Sequence, residues 1–235
     1  MSFLQLLSLN HEYIDGENMV RVLDNISCEF EKGSIHVVLG PSGCGKTTLL
    51  NIIAGLIKPV SGEVILNNNP IVKPIPEIGV VFQDLRLFPW LKVKDNVAFG
   101  LRMKNDNNIE SIVDKYLELV GLTEYKDFYP ADLSGGMKQR LAIIRSLVLE
   151  PHLLLLDEPF GSLDLKTRKS MQELITKLHR ELKTTIIFVT HDIDEAVVLG
   201  DFIYIFSGYK GKIDKILRTS NNKIALKNEI INSLD

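Results

Sequence analysis

Ser34-Ile35-His36-Val37-Val38-Leu39 runs directly into Gly40-Pro41-Ser42-Gly43-Cys44-Gly45-Lys46-Thr47-Thr48, and this stretch decides the fold. The first six residues read as a buried strand that enters a tight turn. The next nine carry a G-x-x-x-x-G-K-T pattern. Its glycines let the backbone wrap so that successive N–H groups point at phosphate oxygens, and a helix expected from Lys46 to about Ala54 adds its positive dipole end. In this reading Gly40, Pro41, Ser42, Gly43, Cys44, Gly45, Lys46, Thr47 and Thr48 form a nucleotide cradle. Lys46 reaches the β- and γ-phosphates, and the Thr47 hydroxyl ligates Mg²⁺. An ordinary structural turn is the competing reading, and the strand before and helix after weigh against it.

Outward from the loop, residues 3–9 and 20–30 read as further strands, with Gly62–Leu66 and Ile78–Phe82 as short ones bounded by turn residues. From about 90 to 150 the pattern becomes helical: Ile109, Ile112, Val113, Tyr116, Leu117 and Val120 share one face. Met137, Leu141, Ile144, Leu147 and Val148 do so after the break at Pro130. Strand and helix then alternate again, with Leu153–Leu156, a helix over 165–182, Thr185–Val189, a short helix and Phe202–Phe206. The tail over 221–235 reads as a surface helix. Alternating buried strands and helices imply an α/β fold with a mostly parallel core sheet. One domain over 1–235 is expected, with an antiparallel β part near the N-terminus and an inserted helical part at about 90–150.

Leu153-Leu154-Leu155-Leu156 delivers Asp157 and Glu158 to the C-terminal end of a strand, the edge where α/β sheets bind ligands. Asp157 is placed to hold Mg²⁺ and Glu158 to polarise an attacking water. A solvated turn is the bland reading of that pair alone. In Leu133-Ser134-Gly135-Gly136-Met137-Lys138-Gln139-Arg140, Ser134 can cap the following helix. Gly135 and Gly136 leave its N–H groups open to an anion, although on capping chemistry alone an ordinary capped helix is the favoured reading of this stretch.

Leu133–Arg140 resembles the signature motif of the ABC ATPase family, and the rest of that family's motifs are present in the family's order along the chain. Gln83, after Val80-Val81-Phe82, is similar to the Q-loop. Ser162-Leu163-Asp164 is similar to the D-loop, and His191 in Val189-Thr190-His191-Asp192 to the switch histidine. The resemblance implies a P-loop ATPase in which two copies pack head to tail around two ATP molecules. Ser134, Gly135 and Gly136 would then contact the γ-phosphate in trans. It further implies that Glu158, His191 and Lys46 are catalytic, that Gln83 joins Thr47 and Asp157 at the Mg²⁺, and that Asp164 communicates between sites. Tyr13 is expected to stack on adenine, with Gly16-Glu17-Asn18-Met19 a lengthened turn beyond it.

Asp84-Leu85-Arg86-Leu87-Phe88-Pro89-Trp90-Leu91-Lys92-Val93 and His191-Asp192-Ile193-Asp194-Glu195-Ala196 are similar to the importer branch for nitrate, sulfonate and taurine. That implies integral-membrane permease subunits as partners, an extracytoplasmic solute-binding protein indirectly, and a place on the cytoplasmic face of the cell membrane. Trp90 is either an anchor on the permease or packed within the helical part. Ile143-Ile144-Arg145-Ser146 departs from the family's small-residue version and is expected to alter only packing. The chain ends near 235 without the regulatory extension of sugar-type importers, which argues against that branch.

Composition agrees. A net charge of -3 over 235 residues gives no footprint for nucleic acid. The longest aliphatic run, Leu153–Leu156, is far short of the ~20 residues of a membrane helix. The N-terminus lacks a basic start and reads as a strand rather than a signal peptide. Cys28 and Cys44 make no metal spacing and are expected as reduced thiols. A permease-free ABC ATPase, a small-molecule kinase and a nucleotide sensor are the alternatives. The kinase leaves Leu133–Arg140 unexplained, and the sensor has no use for an intact Lys46, Asp157, Glu158 and His191.

Overall fold

The computed structural model describes residues 3–16, 18–104, 108–161, 163–207, 211–220 and 222–234. Strands β1 (Leu4–Asp15), β2 (Asn18–Phe30), β4 (Ser61–Leu66) and β5 (Asn69–Pro70) form an antiparallel sheet in the order β2-β1-β4-β5. The larger sheet has the order β10-β9-β3-β8-β7-β6. Its members are β3 (Ile35–Leu39), β6 (Ile78–Val81), β7 (Leu153–Asp157), β8 (Thr185–Thr190), β9 (Phe202–Ser207) and β10 (Lys212–Arg218). All of its pairings are parallel except β10 on β9. This is the α/β P-loop arrangement expected, with the antiparallel part at the N-terminus.

Strictly alternating side chains sort the larger sheet's two faces, as a period of two requires. Val37, Leu39, Leu154, Leu156, Ile186, Phe188, Ile203 and Ile205 enter one core with the helices. Val38, Leu153, Leu155, Ile187, Val189, Tyr204 and Phe206 enter another, with α1 (Lys46–Ile53) and the antiparallel sheet. Being covered on both faces is why these strands read as unbroken apolar runs.

Between β6 and β7 lie α2 (Val93–Met103), α3 (Ile109–Val120) and α4 (Gly135–Leu147), the helical stretch expected. Val113, Tyr116, Leu117 and Val120 are buried from α3, and Leu141, Ile144 and Leu147 from α4. Helices α5 (Leu165–Leu182) and α6 (Ile193–Leu199) follow β7 and β8, and α7 (Lys223–Leu234) closes the chain. The tail is more than a surface helix, because Leu226 and Ile230 join the core.

The first hairpin differs from expectation. Its strands, not its turn, are long: Tyr13 pairs with Val20, Ile14 with Met19 and Asp15 with Asn18. Gly16, at φ 62°, supplies the left-handed turn residue, while Glu17 lies outside the described residues. The short β5 and the charged β10 had no apolar pattern to announce them.

Candidate functional site

Parallel pairing sets the C-terminal ends of four strands side by side. Leu39 stands beside Thr190, Val189 beside Asp157, and Leu156 beside Val81. The segments that follow therefore meet at one sheet edge, and they carry Lys46, Asp157, Glu158, His191 and Gln83.

The loop after β3 needs glycine for two separate reasons. Gly45 has φ 103°, and a Cβ there would lie 2.6 Å from the Val22 carbonyl oxygen. A Cβ on Gly40 would lie 2.6 Å from that of Phe206. Helix α1 starts at Lys46 with no side-chain cap and no acidic residue in its first turn, which leaves its positive end free of an internal counter-charge. The buried Lys46 ammonium donates to the carbonyls of Gly40 at 2.8 Å and Pro41 at 2.7 Å, and stands 3.7 Å from Glu158 Oε1. Both cysteines are free and buried; burial pushes the Cys44 thiol up and that of Cys28 to about 12.

Thr47 donates its hydroxyl to Asp157 Oδ1 at 3.1 Å. Asp157 is buried, and desolvation holds its carboxyl above the usual range, against the opposing pull of the Thr47 hydrogen bond. Glu158 follows in the left-handed region at φ 42°, a conformation that costs a glutamate on the order of 1–3 kcal/mol. Its N–H donates to the Val189 carbonyl at 3.1 Å, which turns the chain outward and aims the carboxylate along the edge. Glu158 Oε2 then meets His191 Nδ1 at 3.2 Å. A cavity of about 40 Å³ lies between Glu158, Gly161, His191 and the first residues of α6.

Gln83 is exposed and follows β6 by two residues at the same edge. The Tyr13 hydroxyl is 3.4 Å from Thr48 Oγ1, and its ring, 41% exposed, packs edge-on against His11 at 4.8 Å. Ser134 accepts from Met137 N at 3.3 Å and so caps α4, with Ser134 and Gly135 exposed. Gly136 is needed for packing as well, since a Cβ there would lie 2.6 Å from Thr167 Cγ2. Thr167 is held in turn by Asp164, whose carboxylate caps α5 and accepts the Thr167 hydroxyl at 2.6 Å. The start of α4 and the start of α5 are therefore in contact. Ser162 lies outside the described residues.

A family model described as ABC transporter matches residues 23–161. The chain belongs to that family. This ABC ATPase is 49% identical over 198 residues to the aliphatic sulfonates import ATP-binding protein SsuB of Bacillus cereus, a match that covers 84% of this chain and 78% of that protein. It is 45% identical over 214 residues to the taurine import ATP-binding protein TauB of Roseobacter denitrificans, covering 90% and 80%. Among solved structures, the dimeric post-hydrolysis state of the ATP-binding cassette MJ0796 bound to ADP and Pi matches with a TM-score of 0.81. It is 31% identical and covers 93% of this chain and 99% of that chain. The chain is thus an ATP-hydrolysing, ATP-binding subunit of the ABC transporter family.

Two arginines in this ABC ATPase were not legible from spacing. Arg145 of α4 donates to the carbonyls of Leu85, at 3.0 Å, and Arg86. Both acceptors are left-handed, at φ 56° and 43°, and the guanidinium also lies 5.2 Å from the Phe88 ring. The Ile143–Ser146 stretch therefore does more than pack: it fastens the segment after Gln83 to α4. Arg168 of α5 reaches Asp192 and Glu195 behind His191. Trp90 does not pack into the helical part; it is 70% exposed, near Phe88 at 5.7 Å and beyond the half-exposed Phe99.

Proposed function

We propose that this chain is the ATPase of an importer for small sulfonate- or taurine-like anions. It would work as a pair of copies on the cytoplasmic face of a membrane, bound there through permease subunits that an extracytoplasmic solute-binding protein supplies. The observation that carries the reading is the Glu158 carboxylate, suspended between Lys46 at 3.7 Å and His191 at 3.2 Å on the edge where the phosphate loop ends. The names and likeness of the SsuB and TauB relatives support the solute class.

In this reading the whole chain is one nucleotide-binding domain, with residues 90–150 its helical part. Tyr13 stacks on the adenine, and the loop Gly40–Thr48 wraps the phosphates. Lys46 releases its two carbonyl partners to neutralise the β- and γ-phosphate oxygens. Glu158 orients the attacking water and takes its proton, and His191 holds the γ-phosphate from the far side of that carboxylate. Thr47, Asp157 and Gln83 would hold Mg²⁺, which supplies further charge neutralisation at the phosphates when bound. The donors fit it: they are hard oxygens, and a divalent cation would relieve the cost of burying the Asp157 charge. Ser134, Gly135 and Gly136 reach the γ-phosphate of the second copy's ATP, and Asp164 carries the state of one site to the other. The dimeric MJ0796 cassette supports this pairing.

The exposed ring of Trp90, with Phe88 and Phe99, is the surface that docks on the permease, since exposed aromatic clusters favour burial against a partner. No helix among the described residues is long and apolar enough to cross a membrane, and in this reading the permease subunits supply the span. The test is affinity capture of the tagged full chain from detergent-solubilised native membranes, with mass-spectrometric identification of what accompanies it. A multi-span permease is expected, recovered less well with Trp90→Ala. Recovery of soluble partners alone would move the chain to the permease-free branch while leaving its ATPase activity standing.

A further inference from the structure

Behind His191 lies a polar network that the chemistry above does not use. Thr190, fully inside the sheet at the end of β8, donates its hydroxyl to Glu195 Oε2 at 2.6 Å and accepts the Asp192 N–H at 3.0 Å. Asp192 Oδ1 accepts the N–H groups of Asp194 and Glu195 and so caps α6. Its other oxygen takes Arg168 Nη1 at 3.2 Å, while Arg168 Nε faces Glu195 Oε1 at 3.6 Å. The same guanidinium donates Nη2 to the Leu163 carbonyl at 3.4 Å.

One planar cation thus touches three groups on two segments. Leu163 immediately precedes Asp164, the cap of α5. Asp192 immediately follows His191, and Glu195 holds the residue just before it. An arginine suits this task because its fork of donors is rigid, so that one contact constrains the others. Burial is deep at Glu195, whose side chain is 6% exposed. The imidazole ring's own hydrogen bond is with Glu158. What the network holds is the backbone on both sides of the histidine. Among the described residues Arg168 Nε is also a buried donor with no hydrogen-bond partner, and closing on Glu195 by roughly 0.5 Å would bring it to ordinary N–H···O distance. The contact therefore has room to tighten when either segment moves.

We propose that Arg168 is a positioning residue that couples the Leu163–Asp164 segment to the switch histidine, setting His191 over Glu158 according to where the start of α5 stands. It touches neither nucleotide nor the reacting atoms and acts through His191. The proposal rests on the reading of His191 as a γ-phosphate contact.

The experiment is a steady-state ATPase double-mutant cycle on the full chain, comparing Arg168→Ala, His191→Ala and the pair, with nucleotide affinity measured separately. Misplacing a positioned group costs on the order of tenfold to a hundredfold in turnover. Arg168→Ala is expected to lower kcat by that range and to leave ATP affinity within about twofold. On the His191→Ala background the same substitution should change kcat little, because the group it positions is gone. Arg168→Lys, which keeps the charge but not the fork, should recover only part of the loss. Glu195→Gln, which keeps the Thr190 hydrogen bond and loses the charge facing Arg168, provides the same cycle if Arg168→Ala folds poorly. Additive losses in the cycle, or a parallel loss of ATP affinity, would overturn the proposal. Wild-type turnover in His191→Ala alone would overturn instead the reading on which it rests.

Discussion

The sheet edge and the start of α4 both present a helix N-terminus, yet one is assembled and the other is not. At the edge, Lys46, Thr47, Asp157, Glu158 and His191 are linked in one chain of contacts from three strands. At the start of α4, Ser134 meets the backbone of Met137, and Gly135 has open space on most sides. The edge is built to hold a ligand with parts from its own chain. The α4 start offers a cap and exposed amides, and its firmest neighbour is the Asp164–Thr167 turn of α5. In the function proposed above, this contrast is what head-to-tail pairing requires: an edge complete except for a surface donated by a second copy.

The sharpest way to break this comparison is to disable the assembled half alone. Glu158→Gln removes the carboxylate proposed to take the water's proton while preserving its shape. Turnover should fall about 10²–10⁴-fold, with ATP still bound and an ATP-dependent dimer accumulating on a sizing column. Unchanged turnover would mean that Glu158 is not the base. The second substitution addresses the other half. Ser134→Asp keeps a strong cap, so thermal unfolding should be nearly unchanged, but it sets a carboxylate where the partner's γ-phosphate would come. The ATP-dependent dimer of the Glu158→Gln variant should then be lost, with monomeric nucleotide binding intact. A dimer that survives would make α4 an ordinary capped helix.

The same contrast explains how much could be read in advance. The phosphate loop was legible because its residue types answer local demands: left-handed Gly45, a bare helix start, a strand behind it. Helix α5 was legible over 165–182 from its apolar residues at helical spacing, and the structure adds Asp164 as its cap. The α4 start was ambiguous because Gly136 serves two ends at once, anion access and clearance for Thr167, and residue types alone do not separate them. Arg168 was invisible for a different reason. Its acceptor Asp192 lies 24 residues along the chain, and only parallel pairing of β7 with β8 brings α5 beside the start of α6. Arg145 was misjudged as a packing change because its acceptors are backbone carbonyls, which leave no trace in residue types. The hairpin length, too, depended on pairing that runs to Asp15 and Asn18, beyond any apolar alternation.

That hairpin supplies the finest test of the comparison, because Tyr13 belongs to the assembled half only if it faces the nucleotide. Its hydroxyl already touches Thr48 on α1, which places the ring beside the phosphate loop. Yet the ring is 41% exposed and meets His11 only edge-on, so a base stacking on it would gain less than in an enclosed slot. Stacking of a base on an aromatic ring is worth about 1–3 kcal/mol, and the open face argues for the lower end. Tyr13→Ala should therefore weaken ATP binding about fivefold, and Tyr13→Phe, which keeps the stack and drops the Thr48 contact, much less. Titration of each variant with ATP and with inorganic triphosphate separates the causes. A loss confined to ATP locates the base on Tyr13. An equal loss for triphosphate means that Tyr13 acts by steadying Thr48 and the loop, and that the adenine is bound elsewhere.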